Sequence, residues 1–173
     1  ISEIQNYELS NIISEFYGSK RKKAHIELLL LIAEYYGIPR EEIYKETPLQ
    51  GTKFAIERWK KMALNCNWIQ LMMAMHSLEL IANSDLSRYG AKIDYFNPGI
   101  LKNEEVPEPV KNFLREGYTK DVSHSFNALD LIEKYSQDYC IEDIQDACIL
   151  STYAFGIYLE ARIKRGEIIE NKQ

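Results

Sequence analysis

At 173 residues, with 46% apolar side chains, the chain is about one domain in length and can bury a sizeable core. A net charge of -5 excludes the concentrated basic surface that grips nucleic-acid phosphates, since the only basic run is "KRKK" at 20–23, which reads as a solvated helix start. No apolar stretch reaches the roughly 18 residues of a membrane span, because "IELLLLIAEYYGI" is interrupted by Glu27 and Glu34.

Apolar residues recur at three- and four-residue spacing and long alternating β-branched runs are missing, so the chain is predicted to be all-helical. A first helix is expected over about 2–17, stopped by Gly18, and a second over about 20–36, with Gly37 as its end signal and Pro39 beyond. A helical turn at "PREEIYK" leads to a third helix over 48–65, with Thr47 as N-cap and Pro48 in the first helical position. Asn65 or Asn67 punctuates it, and a fourth helix follows over 67–85. Residues 86–107 carry two Gly and two Pro and form a candidate mouth or lid. Helices over 108–136 and 141–166 complete the chain. No linker or repeat interrupts it, so residues 1–173 are expected to form a single domain, an up-and-down antiparallel bundle.

Cys66, Cys140 and Cys148 lack Cys-x-x-Cys spacing and fit neither a disulfide framework nor a zinc site, which points to a reducing cytoplasm. The chain begins at Ile1 without methionine, and a longer native N-terminus is expected.

The three histidines can be placed on their helical faces. His25 precedes Leu28, Leu29 and Ile32, so it lies on an apolar stripe and should point inward. Glu79 shares a methionine-rich face with Met72, Met75 and His76, and a carboxylate buried there needs a partner. His124 shares its face with Asp121, Ala128 and Leu131. Glu15, with Ile12 three residues before it, comes just ahead of the loop into the second helix and could approach His25. Oxygen-rich donor sets with one or two imidazoles suit iron or manganese, and facing helices can supply them to a bundle core. The competing reading is a set of hydrogen-bonded core histidines and a simple intrahelical Asp-x-x-His pair.

The segments "HIELLLLIAEYYGI", "PLQGTKFAIERWKKMALNCNW", "SLELIA", "DYFNP" and "KDVSH", in that order, resemble the PqqC-like branch of the haem-oxygenase-like superfamily. That branch includes pyrroloquinoline quinone synthase, the chlamydial CADD proteins and the TenA-like proteins, and the likeness spans about residues 11–165. It implies a haem-oxygenase-like helical bundle with a central pocket, whose N-terminal helices usually extend further than here. The dimetal oxidases of the superfamily carry a Glu and a His about ten residues apart, a second Glu, and a final His-x-x-x-Asp-x-x-His. By that resemblance Glu15, His25, Glu79, Asp121 and His124 would be metal ligands, with Glu79 able to bridge two ions. The first histidine of the last motif is replaced by Gly117. Tyr118, His76 or water would fill the gap, or one metal would bind.

The resemblance therefore implies an oxidase or oxygenase of a small organic substrate and O2, with one or two iron ions, or manganese, in the core. Tyr118 and His76 are the expected catalytic side chains, and a homodimer is the expected assembly. Two rivals remain: a cofactor-free PqqC-like oxidase, in which His25, His124 and nearby tyrosines act as acid and base, and a non-enzymatic interaction protein. A TenA-like nucleophile at Cys148 is disfavoured, because "QDACILS" offers no general base and a buried structural thiol explains it better. Tyr89, Tyr95 and Tyr118 are candidate pocket residues.

Overall fold

The computed structural model describes residues 2–19, 22–80 and 97–170, except the side chains of 119–121 and 169–170. Seven α-helices and no strand are found among the described residues. None of these helices is long and apolar enough to cross a membrane.

Helix α1 (Ser2–Ile12) runs into one π-helical turn, Ile13–Tyr17, closed by the Gly18 N–H donating to Ile13 O at 2.8 Å. Gly18 ends it with φ +65°, and a Cβ there would lie 2.6 Å from both Ala24 N and Lys22 O, so only glycine fits. The next helix, α2, covers His25–Tyr35 and does not begin at residue 20 as the basic run suggested. The chain turns first: Ser19 N–H donates to Lys22 O (2.7 Å) and Lys22 N–H to Ser19 Oγ (3.1 Å), local bonds that compete with helix formation. At its other end Gly37, with φ +74°, completes a Schellman cap, its N–H reaching Glu34 O (3.0 Å) and that of Ile38 reaching Ala33 O (2.9 Å). Helix α3 (Arg40–Lys45) is tied back to α2 by Arg40, whose guanidinium grips Glu27 at 2.7 and 3.0 Å and also Glu34.

Helix α4 covers Gln50–Asn65 and starts two residues later than expected: extended Leu49, not Thr47, occupies the N-cap, which leaves Pro48 outside the helix. Helix α5 (Trp68–Leu80) opens with a reciprocal capping box in which Asn67 Oδ1 accepts from Gln70 N–H (3.0 Å) and Gln70 Oε1 from Asn67 N–H (2.9 Å). A short 3₁₀ segment, Pro98–Lys102, lies within the stretch read as irregular. Two long helices follow, α6 (Glu108–Tyr135) and α7 (Ile141–Glu170).

The chain divides into two compact units, Ile1–Glu46 with Tyr95–Asp121, and Thr47–Asp94 with Val122–Gln173. In the second, α7 packs along α4 and α5 around Met62, Ala74 and Ala147. Gly51 permits the close approach of α4 to α7, since a Cβ would meet Ala161 Cβ at 2.7 Å. The tryptophans satisfy their N–H groups there, Trp59 on Ser151 Oγ (3.0 Å) and Trp68 on the Tyr139 hydroxyl (2.7 Å). In the first unit the α1 segment is inverted relative to an ordinary amphipathic helix. Tyr7, Glu8, Asn11, Ser14 and Glu15 occupy its less exposed side, while Leu9, Ile12, Ile13 and Phe16 are exposed. The inward placement expected of Ile12 is thus corrected, as is that of Leu29 on α2, which is 44% exposed.

Candidate functional site

The second unit gathers two imidazoles on one carboxylate. His76 and Glu79 stand one turn apart on α5, so their side chains leave the same face, and His76 Nδ1 lies 2.6 Å from Glu79 Oε2. From α6, His124 Nδ1 comes within 3.6 Å of the other oxygen, Glu79 Oε1, a charge contact longer than a good hydrogen bond. The expected faces hold here: Met72, Ala128 and Leu131 are buried beside them in sequence register, and the Glu79 side chain is only 23% exposed. Burial pushes the Glu79 carboxyl up. The contacts from His124 and His76, with the positive charge those rings carry when protonated, outweigh burial and hold it below the usual carboxylate range.

The first unit supplies a separate pair. Gly18 folds the chain back so that His25, the first residue of α2, meets Glu15 of the π turn, with His25 Nδ1 2.6 Å from Glu15 Oε1. The imidazole is buried at 10% exposure, whereas the carboxylate is 44% exposed. A π turn inserts one residue into a helix and re-aims the side chains after it, a distortion that recurs at functional sites. One turn before Glu15, Asn11 is 8% exposed, and its Nδ2 is buried without a hydrogen-bond partner among the described residues. The sequence reading, which weighed charged and imidazole groups, passed over Asn11. Its four-residue spacing from Glu15 was the available signal.

The remaining candidates stand as follows. Asp121 lies on α6, but its side chain is outside the described residues, as are Tyr89 and Tyr95 and the 86–96 part of the proposed mouth. Tyr118 is half-buried on α6, and a Cβ added at neighbouring Gly117 would meet nothing within 4 Å. Cys148 is half-buried on α7 and not fully buried as expected, because it sits at the edge of the α7 stripe that covers Ile144, Ala147 and Ser151. The first unit also has an open, mainly apolar cavity of about 510 Å³ lined by Leu28, Leu31, Tyr35 and Pro109.

Among the described residues no three His, Cys, Asp or Glu side chains are gathered as a metal site. The chemistry of the pairs nonetheless fits a metal. Two neighbouring ligands, each about 2.1 Å from an ion, sit roughly 3 Å apart, and the His25–Glu15 and His124–Glu79 contacts of 2.6 and 3.6 Å bracket that spacing. The stranded Asn11 amide marks the first pair as a place where a ligand atom is still to be supplied.

The profile of the TENA/THI-4/PQQC family matches residues 2–165, nearly the whole chain. No curated protein matches it.

Proposed function

The chain belongs to the TENA/THI-4/PQQC family of haem-oxygenase-like all-α bundles, and from that premise we propose that it is an enzyme that oxidises a small organic substrate with O2 at a non-haem metal. One observation carries the reading: each of the chain's three histidines stands against a glutamate, His25 on Glu15 and both His76 and His124 on Glu79. Imidazole and carboxylate together are the donor set that suits ferrous iron, with manganese as the second choice.

In this reading Glu15, His25, Glu79, Asp121 and His124 are the metal ligands. Bound iron supplies the electrons that make O2 reactive. The protein does the rest. Glu79 presents Oε1 while His76 holds Oε2, which fixes the plane of the carboxylate and the tautomer of the ring, as outer partners of metal ligands commonly do. His76 can also take up or return a proton through Nδ1. Tyr118, beside Gly117 in the sequence, is the side chain proposed to exchange a proton or an electron with the substrate.

A second reading is favoured by the same Glu79 contacts. A carboxylate flanked by two imidazoles is already paired, so the cluster could serve as an acid–base relay for metal-free O2 chemistry. Elemental analysis and O2 uptake of protein purified from iron-supplemented cells separate the readings. Near-stoichiometric iron or manganese supports the first. Metal-free protein that consumes O2 with a quinol-like substrate supports the second, and inert, metal-free protein leaves an interaction protein.

A further inference from the structure

Asn11 is 8% exposed, and its Nδ2 is buried with no hydrogen-bond partner among the described residues. A buried amide N–H left unpaired forfeits its hydration and gains nothing in return, so folded proteins retain few of them. Leucine would fill a similar volume without that cost. The position also lies on the side of α1 that faces inward with polar groups, Glu8, Ser14 and Glu15 among them, while Leu9, Ile12 and Phe16 of the same segment are exposed. Packing considerations would have chosen the opposite orientation.

What that orientation places together is Asn11 and, one turn on, the carboxylate that meets His25. An amide nitrogen donates only, so the missing partner must be an acceptor. Glu15 directs Oε1 at His25 Nδ1 at 2.6 Å, and no bond between Asn11 Nδ2 and Glu15 is formed among the described residues.

We propose that Asn11 is a further binding residue of the Glu15–His25 site, its Nδ2–H donating to the oxygen of a water or hydroxide carried by the metal ion held there. The inference rests on the metal reading above. Asn11 does not ligate the ion; it positions an oxygen that does, and its loss weakens metal retention as the loss of other outer hydrogen bonds does.

The test is Asn11→Leu in the full chain, with two measurements. Thermal unfolding of the metal-free protein should rise by roughly 2–4 °C, because the variant no longer buries a stranded donor. Mn(II) titration, followed by loss of the six-line EPR signal of the free aqueous ion, should show affinity lowered about tenfold from the parent. A lowered melting temperature, or a variant that fails to fold, would mean the amide is satisfied within the folded protein and overturns the proposal. Equal Mn(II) affinity in parent and variant overturns it too while leaving the metal reading in place. A parent that binds no Mn(II) removes both.

Discussion

Glu79 shows how neighbours decide the state of a carboxylate. Burial would neutralise it, yet its imidazole contacts hold it ionised below the usual carboxylate range. Because its folded pKa is depressed, its contribution to stability is fully present above about pH 4–5, the unfolded range, and is lost as pH falls through the folded value. Glu79→Gln should therefore cost about 1–3 kcal/mol near neutrality, with the gap to the parent in urea denaturation closing below about pH 4. A gap independent of pH would show that the charge is not what His76 and His124 stabilise. Gly117 offers the opposite experiment, since an added Cβ meets nothing within 4 Å. Gly117→Ala should stabilise α6 by up to about 1 kcal/mol, and Gly117→His should raise the metal content of the purified protein. Unchanged metal content would place position 117 outside the site. At this scale the pairing of Glu15 with His25 was legible, because Gly18 leaves only a short fold-back between them. Asn11 was not, because a neutral amide gains meaning only from burial, which a sequence does not display.

Helix boundaries depended on how local bonds compete. The basic run before His25 looks like a helix start by charge and propensity, but the left-handed Gly18 and the Ser19–Lys22 bonds keep that stretch in a turn. Gly18→Ala should cost at least about 1–2 kcal/mol from the backbone conformation, with more from the 2.6 Å contacts its Cβ would make. Chemical denaturation checks this, and a neutral result would mean the turn rearranges freely. The Gly37 end signal and the asparagine punctuation before α5 were read correctly, since each works through a bond to the backbone nearest it. Removing the α5 cap with Asn67→Ala should lower stability by about 1 kcal/mol. The start of α4 was misplaced because Thr47 and Pro48 form a strong start signal on their own, whereas the observed first turn follows from the extended Leu49. The inverted face of α1 was hidden for a related reason: periodicity marks two faces of a helix without saying which one the protein turns inward.

For the whole molecule, three- and four-residue periodicity made the all-α class legible, and the order of short motifs identified a family that matches residues 2–165. Periodicity fixes neither which side chains meet nor what they bind, so the function rests on the contacts of three histidines. The most direct test loads the protein anaerobically with Fe(II) and mixes it rapidly with O2 while the visible spectrum is recorded. A non-haem oxidase predicts a transient absorption in the parent that His124→Ala abolishes, with folding of the variant verified by circular dichroism. No spectral change on oxygenation of the parent, or an identical response from His124→Ala, would contradict it.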